Sequence, residues 1–235
     1  MPVSGAGRPR ALKIERITAE RTRSAVKADL ASFLAEAKAL GADDARIVTA
    51  RDLARSLRAG TARTGHRDAA SPQARETRSI HWPEPLYPHD RIDEAIRLYQ
   101  WGVAFKVEVR TPVLPQGTGV LAATGPDPSS VRQAHEAVFR IGASLESECF
   151  YRGYHLAMAF ASADCRDIFC GDQPRCWALI KGRPCLHPYK ARPSLEACGI
   201  SPSVLAENLG WATGTESAGS PLRGEQWFLG LVLVT

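Results

Sequence analysis

The chain has 235 residues, 44% of them hydrophobic, six cysteines and a formal charge of +5. That length can bury an ordinary core as one domain, or one domain with an appendage, so a metal is not needed merely to fold it. The amino end, "MPVSGAGRPRALKIER", lacks the apolar run of a signal peptide, and no segment reaches the roughly 18 apolar residues of a membrane span; the expectation is a soluble, cytoplasmic protein with no membrane partner.

Residues 1–23 read as a basic arm, and 24–235 as a single domain. From Ser24 to Leu40, the residues Val26, Leu30, Phe33, Leu34, Ala37 and Leu40 recur at helical steps and Gly41 follows, which predicts an amphipathic helix with a glycine stop. "ARIVTA" reads as a short strand. The segment 59–80 is basic and almost without large apolar residues, and is expected to be a mobile loop. The prolines of "HWPEPLYPHD" exclude helix, and "DRIDEAIRLYQ" then places Ile92, Ile96 and Tyr99 on one helical face.

"GVAFKVEVR" alternates Val103, Phe105, Val107 and Val109 with smaller or polar residues, the period of a half-buried strand. Residues 111–128 are a loop rich in glycine and proline. A long helix is predicted from Val131 through His135, Val138, Gly142, Leu145, Cys149 and Gly153 to Leu156, delivering the chain to Cys165. "SPSVLAENLGW" reads as a short helix and "WFLGLVLV" as an apolar terminal strand. The fold class is α+β or α/β, a small sheet packed with several helices.

The chemistry concentrates in 165–199. Cys165, Cys170, Cys176 and Cys185 have the spacing C-x4-C-x5-C-x8-C, with glycine and proline near the turns. In a reducing compartment such a cluster points to metal ligands or catalytic thiols rather than disulfides. Four thiolates from one loop satisfy tetrahedral zinc or a [4Fe-4S] cubane. The paired C-x2-C knuckles usual for zinc are absent, so the spacing leans to the cubane and leaves zinc open.

Cys149 falls on the apolar stripe of the long helix and reads as a buried small hydrophobe. Cys198 reads as buried, a spare ligand or a reactive thiol. His187 could ligate a metal or donate a hydrogen bond to a cluster sulfur, and Arg192 could stabilise an anionic cluster or pair with Glu196 to lock the loop. His66, His81 and His89 share no regular element that would align them as a site.

The excess of arginine is interrupted by acids and accompanies no helix-turn-helix, zinc-finger or RNA-recognition signature. A generally basic surface is the reading, with nucleic acid not indicated and an acidic redox partner or anionic substrate compatible. No phosphate-binding glycine loop, nucleophilic triad or radical-initiating C-x3-C-x2-C motif is present.

The run "CLHPYKARPSLEACGISPSVLAENLGW", preceded by "YRGYHLAMAF" and the clustered cysteines, resembles the carboxyl-terminal signature of the domain-of-unknown-function 2284 family, described as predicted metal-binding proteins. The resemblance sets Cys165, Cys170, Cys176 and Cys185 on the family's cysteine cluster, and Arg192, Pro193, Ser194, Glu196 and Gly199 on its closing motif. The detailed likeness covers about residues 146–211, and weaker likeness in "GADDARIVTA" and "RIDEAIRLYQWGVAFKV" extends it. Family members commonly carry a further cysteine group ending in Cys-Pro-Pro where this chain has "HWPEPLYP", so the resemblance implies that one of two metal sites is missing here.

The resemblance strengthens the four-iron cluster over zinc without naming a reaction. Three functions follow as expectations: a redox protein or reductase component serving a protein partner or small-molecule substrate; a cluster-dependent enzyme of the oxidoreductase class; and an interaction module with a structural zinc or cluster, contacting partners through the loop 59–80.

Overall fold

The computed structural model describes residues 21–63, 95–110, 127–162, 164–173, 176, 178, 183–211 and 227–234, with only the backbone of 58–63. Helix α1, Arg23–Ala39, begins where the Thr22 hydroxyl accepts from the Ala25 N–H, and ends before Gly41, whose φ of 110° turns the chain out of the helix. Strand β1, Asp44–Thr49, follows directly. Helix α2, Ala50–Arg63, starts at a reciprocal cap in which Asp52 Oδ2 accepts from the Thr49 N–H and hydroxyl. The predicted loop therefore starts later than residue 59, because α2 carries its first five residues; the rest of that loop, the proline-rich turn, the three histidines and the loop 111–126 lie outside the described residues.

Strand β2, Trp101–Glu108, is preceded by Ala95 and Ile96 in helical conformation, with Ile96 and Tyr99 buried as predicted for one face. The long helix α3, Pro128–Tyr151, is capped by Asp127. It stops short of the predicted Leu156 because Gly153 adopts a φ of 90° and the N–H of Tyr154 closes onto the Cys149 carbonyl. "MAFA" then forms strand β3, Met158–Ala161, between the end of the predicted helix and Cys165, where no strand is predicted. Two short helices, α4 (Cys165–Phe169) and α5 (Pro202–Asn208), precede the terminal strand β4, Trp227–Val234.

The four strands form an antiparallel sheet in the order β1-β2-β4-β3, which makes the fold α+β. Helices α1 and α3 bury one face around Leu30, Phe33, Phe105, Val138, Leu145 and Val232. The other face is covered by α2, α5 and the chain near Leu195, around Leu53, Leu57, Ala104, Phe160, Leu205 and Leu231. With both faces covered, β2 is not the half-buried strand its alternation suggests: Ala104 is as buried as Phe105. Phe105 pairs with Gly230 across the central strands, and a Cβ at Gly230 would fall against the Phe105 ring. Only glycine permits that ring to lie flat on the sheet.

Candidate metal centre

The cysteine-bearing segment leaves the sheet at the end of β3 and returns to its edge. Departure is fixed by the Asp164 carboxylate, which accepts from the Arg166 N–H and starts α4 at Cys165. Helix α4 is held against α3 by buried Ile168, by the edge-on contact of Phe169 with Phe139 at 5.3 Å, and by Arg132, which donates to the Ile168 carbonyl at 2.8 Å. Cys170 ends α4 and accepts from the Gln173 N–H through its carbonyl.

Return is fixed by the motif residues. The Ala161 N–H donates to Pro193 O and the Leu195 N–H donates to Ala161 O, so Ser194 bridges β3 in parallel. The Ser194 hydroxyl accepts from the Ala197 N–H, and Gly199, at a φ of 78°, lets the chain turn so that Leu195, Cys198 and Ile200 are buried against the second face. "ARPSLEACGI" is therefore the anchor that brings the cysteine segment back to the sheet.

Arg192 clamps the two ends of that segment. Its guanidinium meets Glu146 of α3 at 2.6 Å and donates to the carbonyls of Pro188 and Ala191 at 3.3 and 2.8 Å. Glu146 in turn accepts from the Ala159 N–H of β3 at 2.8 Å. Arg192 thus forms an ion pair with Glu146, and Glu196 stands exposed on the turn. Sequence reasoning missed Glu146; its signal is a carboxylate beside the apolar stripe Gly142, Leu145 and Cys149 of α3, at the border of a buried face.

The six cysteines divide into two groups, and none forms a disulfide. Cys149 and Cys198 are 1% exposed, one in each core. Burial pushes the Cys149 thiol up to about 12 and raises Cys198 further. Both are core residues, and of the readings open for Cys198 the burial is what the structure shows.

Cys165, Cys170, Cys176 and Cys185 are half-buried. Burial raises the Cys165 thiol most, and the charges of Asp164, Cys185, Cys176 and Cys170 add to the rise. Cys170 is raised by burial and then by Cys185 and Cys176. Each of these two thiols is therefore within electrostatic reach of the other cysteines of its group. The His187 N–H donates to Cys185 Sγ at 3.4 Å, while its ring leans on Phe169 at 5.7 Å. It is thus the backbone of His187 that reaches a cysteine sulfur.

Among the described residues, no three His, Cys, Asp or Glu side chains converge enough to hold one metal ion. A mononuclear zinc site needs its sulfurs about 2.3 Å from a single centre. A cubane shares its four thiolates among several irons, and an N–H donated to sulfur is among the interactions that tune such a cluster. The donor set, four cysteine sulfurs of which that of Cys185 accepts an N–H, is the thiolate set that both groups take.

No described helix is long and apolar enough to cross a membrane. The chain matches no curated protein and no solved structure. Residues 83–234 match the family described as predicted metal-binding protein, DUF2284, over more than half of the chain, and the protein belongs to that family.

Proposed function

We propose that Cys165, Cys170, Cys176 and Cys185 hold one [4Fe-4S] cluster and that the protein works in the cytoplasm as an electron-transfer protein or as the redox component of a reductase. The observation that carries this reading is the division of the cysteines: the four of the spaced cluster are half-buried on one segment, with Cys185 accepting an N–H, and the other two are sealed in the cores. A cluster held there would supply one-electron chemistry. The chain's own residues would ligate it, donate the His187 N–H to the Cys185 sulfur, and clamp the loop through Arg192 and Glu146.

The test is anaerobic reduction of the purified protein beside Cys176→Ser. Visible absorption that dithionite bleaches and air restores, lost in Cys176→Ser, supports the reading. Retention of the full spectrum in that variant overturns the ligand assignment. A colourless protein that loses structure on chelation, with no redox response, replaces the reading with a structural zinc module.

A further inference from the structure

The two halves of the cysteine segment differ in charge. Cys165 and Cys170 are accompanied by Asp164, Asp167 and Asp172, whereas from Pro174 to Leu195 the sequence carries five basic residues, Arg175, Lys181, Arg183, Lys190 and Arg192, and no acidic one. Of these, Arg183 and Lys190 are exposed and bracket Cys185. Between them Leu186 is 63% and Tyr189 87% exposed, an apolar pair at the surface immediately beside a candidate ligand.

This turn is held in shape without a partner. Pro184 and Pro188 restrict its backbone, the N–H groups of Lys190 and Ala191 both donate to the His187 carbonyl, and Arg192 ties its end to Glu146. A preorganised turn with an exposed tyrosine and leucine between two cations has the composition of a protein-binding patch, and little ordering is left to oppose binding.

We infer that the Arg183–Lys190 turn is the docking face for an acidic one-electron carrier protein, an inference that rests on the redox reading above. The cations would steer the carrier's carboxylates, and Leu186 and Tyr189 would form the dry centre of the contact, one to four residues from Cys185. A reduced carrier docked there would give up one electron, and a metal centre held by the cysteines would accept it, with no bond formed or broken and no proton moved. Single-stranded nucleic acid fits less well, since it needs successive stacking rings and Tyr189 is the exposed ring on this turn.

The test measures binding of a purified flavodoxin and a purified plant-type ferredoxin, both acidic, to the holoprotein at low and high salt. Three proteins are compared: the natural sequence, Arg183→Glu with Lys190→Glu, and a control with the same charge change on exposed α2 positions, Arg51→Glu with Arg55→Glu. Salt-sensitive binding that falls about tenfold in the turn variant and less than about threefold in the control supports the docking face. Equal losses in both variants, no binding of either carrier at low salt, or binding of poly(U) RNA in their place overturns it.

A second arm follows anaerobic reduction by the reduced flavodoxin and by dithionite. Slower reduction by flavodoxin alone in the turn variant supports the face. Dithionite bleaching without carrier binding removes the docking face and leaves the redox reading; carrier binding lost in the turn variant, with no dithionite response in any protein, removes the redox reading and leaves the face.

Discussion

In strand β4, six of eight residues are buried, whereas between Gly171 and Arg192 the one buried residue among those described is Ala178. The sheet is held by what it excludes from water on both faces. The described part of the cysteine segment buries little; it is attached by Ile168 and Leu195 and braced by the Arg192–Glu146 pair, with Cys170, Cys176 and Cys185 between those anchors. Packing therefore accounts for the platform, and metal ligation by the cysteines would further fix the segment between the anchors.

The largest effect should come from filling the one position where the sheet has no room. Gly230→Ala drives a methyl into the Phe105 ring and is expected to cost about 3 kcal/mol or more, read as a collapse of the urea midpoint, and to take the metal with it. Cys176→Ser breaks the other region alone: nearly all bound metal should be lost while circular dichroism of the sheet persists, and limited proteolysis should cut between 171 and 192. Metal retained at full level would contradict the division of labour.

Glu146→Gln sharpens the comparison because it loosens the clamp without touching a cysteine. Leaving the more buried Arg192 guanidinium without its carboxylate should weaken metal retention about tenfold in a chelator challenge, with a smaller change in thermal unfolding. Cys198→Ala probes the core on the other side: a cost of about 1 kcal/mol in urea and unchanged metal content are expected, the reverse of the Cys176 result.

The smallest effect concerns Asp44, which fixes the far edge of the sheet through the Trp211 indole at 2.7 Å. Partial burial would raise this carboxylate, but the bonds from Trp211, the Ala45 N–H, Arg46 and Lys38 outweigh it and hold it at about 2. Because the folded value lies below the ordinary one, the contribution is present above about pH 4 and is lost as pH falls toward 2. Asp44→Asn should cost roughly 1 kcal/mol near neutrality, and the urea midpoints of the two proteins should converge in acid.

Elements with a strong period and a glycine stop were legible: α1 with Gly41, β4, and α5 with Gly210. Helix α2 was not, because among its described side chains the buried ones are Leu53, Ser56 and Leu57, a short apolar pattern, although the Thr49 and Asp52 cap was readable in the sequence. Strand β3 was hidden because "MAFA" is only four residues long and follows the apolar stripe of α3 closely, after the turn made at Gly153. The four half-buried cysteines were legible from spacing. The clamp was not, since Arg192 and Glu146 are 46 residues apart in the chain and nothing local joins them.

The most direct measurement is iron, sulfide and zinc per chain in protein purified without oxygen, taken beside its visible spectrum. About four irons and four sulfides, with absorption that dithionite bleaches, is the predicted result. One zinc with no iron and no colour would contradict the cluster and the redox reading together.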